Sequence, residues 1–480
     1  MCEKIILKKI PNKVFIAILI CTITFMLGIA LNIRFLLMIG LFGTFFYSIF
    51  YLRKESYLAV AFLISFFTFL LGRIFINAIS GEKSLLIGAF IYDSGPTDKE
   101  LIETLALLFI SMVCFLFTVL SVPKSRGKNK IKKIKKKNIE IACISVFYLT
   151  IAFELIVSIE RFIFLIVGGS YTAYYTSFSR TLPSFFYKIA ELNTPAFFAL
   201  LASSPSKNKT KPIIFLYLLN SLIILLAGQR NLFVRAVLIT FCYILLRNKW
   251  DSEEQWLSKK QLRMLLYSIP LFIIALQAWG TVRNGSSFNI TGISETIKDF
   301  FRDQGTTSVV VYKGIDLKNN FPSEINYTFA PIINFLKNNQ IIKTLFHTTS
   351  YAQQTTELAL KGNNFGSTLT YLYVPYNYKI GIGMGSCYIS EVFHDYGIIG
   401  VCLINILYGI VLVKLENYFS QPTKSVFVGM ILFLFADGII YSPRNSAFSF
   451  LTNGINFTVF LFIFLIYFIS SLLKERNLCE

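Results

Sequence analysis

Residues 14–31 read VFIAILICTITFMLGIAL, eighteen positions without a charge. A helix of that length crosses about 30 Å of hydrocarbon. Apolar and polar residues do not alternate with period two, as a membrane barrel strand requires. Only helices and closed barrels satisfy the backbone in lipid, so the run reads as a transmembrane helix. Working outward, comparable runs fall at 35–52, 57–79, 101–120, 139–160, 185–203, 212–229, 231–246, 264–280, 387–413, 425–441 and 450–473. The 480-residue chain is 55% hydrophobic, and its apolar residues are bunched rather than spread with a surface-helix period. The expected fold class is an all-α integral membrane protein of about twelve helices.

The basic N-terminus MCEKIILKKIPNK leads into the first run. A signal peptide would have a shorter apolar core and a small-residue cleavage site, so an uncleaved first helix is expected. Cys2 alone is no lipidation signal.

The net charge of +20 has two readings: nucleic-acid binding, or membrane topology. The basic residues sit between apolar runs, at 53–54, 124–137, 207–211 and 247–263, which favours topology. Lys124 to Lys137 alone carries nine basic residues and no acid. Twelve crossings place all these loops and both termini on one face, which the positive-inside rule makes cytoplasmic. The other face receives loops 80–100 and 161–184, and one of about 106 residues at 281–386. That loop is too large for a plain connector. Its periodic apolar pieces, such as Ile325 to Phe346, predict partial helix. The resulting organisation is 1–280 (nine helices), 281–386 (the large loop) and 387–480 (three helices).

The outer face contains arginine where the topology rule disfavours it. Arg230 lies in the turn AGQRNLF, Arg235 one helical turn later, Arg283 after the ninth run, Arg302 in the large loop, and Arg444 in YSPRN. Each side chain offers a planar fork of donors that grips phosphate oxygens at two points. The competing explanation is snorkelling to lipid headgroups. Arg235 fits it worst, because it lies inside a helix.

A second constellation is GMGSCYISEVFHDYGIIG at 383–400. Glu391 and Asp395 are four apart and share a helical face, with His394 adjoining. Here a carboxylate or imidazole could serve as base on a sugar hydroxyl. Alternatively the acids simply suit the positive end of a helix. Gly381, Gly383 and Gly385 form either a turn or an anion-binding nest, with the turn favoured. Aromatic clusters flank the loops: Tyr171, Tyr174 and Tyr175 in GGSYTAYYTSFSR, and Tyr371, Tyr373, Tyr376 and Tyr378 in YLYVPYNYK. They suit either sugar stacking or the interfacial aromatic belt. Tyr171, Tyr175, Tyr373 and Tyr376 are the candidate sugar contacts.

Only two histidines occur, His347 and His394, and the cysteine spacing does not suggest zinc. There is no HExxH, CxxC pair or P-loop. Loop 80–100 holds Asp93 and Asp98 but no adjacent acidic pair, unlike metal-dependent dolichol-phosphate-sugar transferases. No metal or cofactor is expected.

Taken together, the chain resembles the O-antigen polysaccharide polymerases of Wzy type. The features that match are the twelve-run layout, the GQR turn at 228–230, the dominant loop between runs nine and ten, and Arg444 between the last two. The run of Gly385, Ser386, Tyr388, Ile389, Glu391, Asp395, Tyr396, Gly397 and Gly400 matches as well. The layout covers nearly the whole chain, the motifs about a tenth of it. The resemblance implies a metal-independent glycosyltransferase of GT-C-like membrane architecture in the bacterial inner membrane. Donor and acceptor would be oligosaccharides linked to undecaprenyl pyrophosphate, with a chain-length regulator protein as a candidate partner and no nucleic acid. In related ligases an essential histidine often lies in the large loop. The surroundings of His347, LFHTTSYAQ, do not match that pattern. An O-antigen ligase and a lipid-linked oligosaccharide flippase are the alternatives. A flippase would show short loops and internal pseudo-symmetry, and neither is seen.

Overall fold

The computed structural model describes residues 10–82, 84–86, 95–124, 137–167, 178–250, 254–283, 292–347, 351–419 and 425–479. Among them are 11 helices long and apolar enough to cross a membrane, and no strand. These helices are Asn12–Ala30, Arg34–Leu52, Tyr57–Ile79, Asp98–Ser121, Lys137–Ile166, Lys207–Leu226, Arg230–Trp250, Lys259–Thr281, Tyr388–Tyr418, Val426–Arg444 and Ser449–Leu473. Asn12–Ala30 and Lys259–Thr281 bury only 22% and 11% of their apolar windows against protein. In water such apolar faces would be costly, so lipid is the solvent that suits them.

The run at 185–203 is not one helix. It forms two short ones, Ser184–Ala190 and Asn193–Ser203, separated at Glu191 and Leu192. Pro195 explains the break. In a continuous helix it would remove a backbone hydrogen bond and clash one turn back. With the helix restarted at Asn193, Pro195 falls in the first turn, where it is tolerated.

Helix starts follow local chemistry. Thr97 and Glu100 make a reciprocal capping box ahead of Asp98–Ser121, with bonds of 3.3 and 2.8 Å. Ser56 caps Tyr57–Ile79 by accepting from the Ala59 N–H. That helix contains a π turn at Phe67–Leu71, just before the buried Arg73. The large loop is helical over several pieces, including Ile293–Gln304, Thr307–Asp316, Ala330–Lys337 and Phe365–Tyr373.

Two compact units are formed, each discontinuous in sequence. The first comprises Met1–Lys124, Lys298–Val413 and Gly438–Thr452, so most of the large loop is built into it. Small residues allow its helices to approach closely. A Cβ at Gly28 would lie 2.7 Å from the Leu37 nitrogen, and one at Gly409 would lie 2.9 Å from Thr118 Cβ. The second unit comprises Ser125–Ile297, Lys414–Asp437 and Asn453–Glu480. Its packing is aromatic: Phe197 stacks on Tyr217 at 3.7 Å between centroids, and Phe198 on Phe433 at 5.7 Å.

Candidate functional site

In the first unit the stretch 381–396 is a glycine loop followed by the first turns of Tyr388–Tyr418. Gly381 and Gly385 have φ of +82° and +78°, conformations that favour glycine, so the segment is a turn. Gly366 abuts it: a Cβ there would lie 2.6 Å from the Gly385 carbonyl oxygen. The Met384 N–H donates to Thr370 Oγ1 at 3.1 Å, fixing the loop to Phe365–Tyr373.

Glu391 is 1% exposed. Its Oε1 accepts from Ser386 Oγ at 2.6 Å and its Oε2 from the Ala447 N–H at 2.8 Å. The carboxylate therefore ties the end of the glycine loop to the chain just after Arg444. Asp395 is engaged in the same way. Its Oδ2 accepts from the Thr328 N–H at 2.6 Å, and its Oδ1 faces His394 Nδ1 at 2.9 Å. His394 packs among Phe321, Tyr327 and Phe365, with centroids 5.0, 5.2 and 6.3 Å away. Burial pushes the Tyr327 phenol up to about 12, so it stays a hydrogen-bond donor, directed at Thr368 Oγ1. The three residues expected as a base are brought together, and each carboxylate holds one backbone N–H and one side chain.

The two loops tied by Glu391 line a cavity of about 350 Å³. Gln353, Asn364, Ser367, Ser386 and Asn445 contribute amides and hydroxyls, and Arg444 is the charged lining residue. The Arg444 guanidinium lies 5.5 Å from the Phe69 ring centroid. Tyr378 lines the cavity and also donates to the Thr355 carbonyl at 2.9 Å. Tyr373 and Tyr376 are not among its lining residues. Tyr373 stacks under Lys313, 4.7 Å from its centroid, and Tyr376 is 73% exposed. His347 is exposed. Tyr171 and Tyr175 lie outside the described residues.

The remaining arginines divide by their partners. Arg302 reaches Asp299 at 3.3 Å, Glu82 at 3.8 Å and Asn77 Oδ1 at 3.3 Å. Beside it, Arg73 is 3% exposed and donates to the Arg302 carbonyl at 2.8 Å, satisfying an orphan acceptor near the helix end. Arg73 went unnoticed in the sequence, although an arginine within an apolar run, here LLGRIFIN, is a signal in itself. In the second unit Arg235 forms a two-pronged pair with Asp437, both side chains largely buried. Arg230 opens the helix Arg230–Trp250 and sits against Gly280, donating to the Leu276 carbonyl at 3.4 Å. A Cβ at Gly280 would collide with the guanidinium. Arg283 closes the helix Lys259–Arg283, and its side chain lies outside the described atoms. Among the described residues, no three His, Cys, Asp or Glu side chains stand together as a metal site.

The family model for O-antigen polysaccharide polymerase Wzy matches residues 12–477, nearly the whole chain. No curated protein and no solved structure matches it.

Proposed function

Because the chain belongs to the O-antigen polysaccharide polymerase Wzy family, we propose that it joins oligosaccharide repeat units carried on undecaprenyl pyrophosphate. The reaction would take place on the periplasmic face of the inner membrane, with both termini cytoplasmic. A hydroxyl of the acceptor repeat unit attacks the anomeric carbon of the donor glycan. The bond from that carbon to the pyrophosphate oxygen breaks, and the hydroxyl proton is released. The lipid pyrophosphate leaves with the electron pair. No metal is needed if protein cations offset the charge that develops on the leaving group. Arg230 and Arg283 are proposed for that role, since both lie at ends of apolar helices. Arg235 and Arg302 are better suited to holding the fold, because acids already pair with them.

Glu391 and Asp395, with His394, are proposed as positioning residues. The observation that supports this best is the double tether of Glu391, which joins two walls of one polar cavity. The surface glycan profile of a deletion strain, with a complemented control, tests the function. A ladder collapsed to a core bearing a single repeat supports polymerisation. Lipid-linked polymer accumulating outside the membrane would instead indicate a ligase, and single units trapped inside would indicate a flippase.

A further inference from the structure

We propose that the Arg444 cavity is a glycan subsite that takes a carboxylate-bearing sugar of the repeat unit, its carboxylate on the Arg444 guanidinium. The inference rests on the polymerase reading for the identity of the oligosaccharide, and on the cavity for the rest.

Size comes first. A cavity of about 350 Å³ lies at the lower end of small-molecule sites, room for a sugar ring rather than a lipid chain. The lining agrees. Sugar hydroxyls both donate and accept, as do the amides of Gln353, Asn364 and Asn445 and the hydroxyls of Ser367 and Ser386. Ser386 already donates to Glu391, Asn364 accepts from the Ser367 N–H and Asn445 donates to Ser449, so each keeps only its remaining donor or acceptor capacity for a ligand, and a hydrocarbon occupant would leave that capacity unused.

Charge then selects among sugars. Among the described residues Arg444 is the one charged residue on the cavity lining, and no acid pairs with it. Phe69 supports the guanidinium from a ring face, which uses none of its N–H donors. The planar fork therefore keeps its donors for a ligand, and a carboxylate is the shape it matches in two bonds. Pyrophosphate is the other anion in the reaction, but it carries charge on two phosphate groups. One guanidinium on an otherwise neutral wall offsets a single charge, which is what one sugar carboxylate brings. The cavity is also preformed, since Glu391 holds Ser386 on one side and Ala447 on the other. Preformed donors lose little on binding.

The test uses purified full-length protein and the repeat unit from the deletion strain. Its sugar composition is read first, and a repeat unit without a carboxylate overturns the proposal. The oligosaccharide is then released from lipid and pyrophosphate, and one portion has its carboxyl reduced to an alcohol. Binding of both forms is measured by calorimetry with wild type and Arg444→Gln. We expect Arg444→Gln to weaken native oligosaccharide binding about 10- to 100-fold, the range for losing charge-assisted hydrogen bonds. Carboxyl reduction should weaken wild-type binding by the same factor, and the two changes together should cost no more than either alone. Equal binding of native and reduced forms by wild type overturns the proposal, and needs no variant that might misfold. Elongation of lipid-linked units is followed in parallel. Unequal binding without elongation would leave the subsite and remove the polymerase reading. An elongation loss in Arg444→Gln that persists on carboxyl-reduced units would place pyrophosphate on Arg444 instead.

Discussion

Replacing Glu391 by Gln and by Ala separates a tether from a base. Glu391 is 1% exposed and holds two partners, Ser386 Oγ at 2.6 Å and the Ala447 N–H at 2.8 Å. Glutamine keeps the shape. Its carbonyl oxygen still accepts from Ala447, and its amide donates to the Ser386 hydroxyl, which has lone pairs to spare. What is lost is charge assistance, about 1–2 kcal/mol. Alanine removes both acceptors and leaves a buried N–H at Ala447 without a partner, for a total of about 3–5 kcal/mol. Glu391→Gln should therefore keep polymer length and rate within a few-fold of wild type. Glu391→Ala should lower both, along with the melting temperature in detergent. A carboxylate that takes a proton in the transition state contributes about 10²–10⁴-fold. A thousandfold loss in Glu391→Gln, with unchanged melting and protein level, would refute the tether and restore Glu391 as a base.

Two further substitutions address the arginines. Arg235→Ala should cost about 3–5 kcal/mol, because Asp437 is left charged and buried. The apolar double variant Arg235→Met with Asp437→Leu should recover most of the lost melting temperature. If that double variant is stable yet inactive, Arg235 serves the chemistry rather than the fold. Gly280→Ala should leave folding nearly intact, since the atom it strikes is the far end of the flexible Arg230 side chain. Its glycan ladder should nevertheless shorten toward that of Arg230→Ala, and a wild-type ladder would argue against Arg230 as a pyrophosphate contact.

The membrane helices were legible because each run must bury its backbone polar groups within itself, a local requirement written in local composition. The break at 191–192 was legible only in Pro195, whose meaning depends on whether it falls inside a helix or in a first turn. The site was half legible. Glu391, Asp395 and His394 announce themselves by spacing, but their roles depend on Ser386, Ala447 and Thr328, and nothing in a helical repeat specifies those partners. Asp437 illustrates the same limit. It lies in an apolar run with no cation in it, and only the fold places it on Arg235, 202 positions away. Arg73 was visible as a charge in an apolar run, yet its function is to cap a helix that begins more than two hundred residues later.

Pairing, more than position, distinguishes the arginines. A guanidinium away from water interacts more strongly with any anion than it does in bulk solvent, and the same low dielectric penalises it when alone. Where an acid is built in, as at Arg235 and Arg302, that interaction is consumed in the folded state and a ligand gains little by competing for it. Among the described residues, Arg444 has an aromatic face and no acid beside it. The ring offsets part of the desolvation penalty but leaves the N–H donors unspent. The net interaction is then realised when an anion enters a cavity whose walls are already fixed by Glu391. On this argument an acid placed beside Arg444 would stabilise the protein and weaken glycan binding together, a trade expected only of a binding cation.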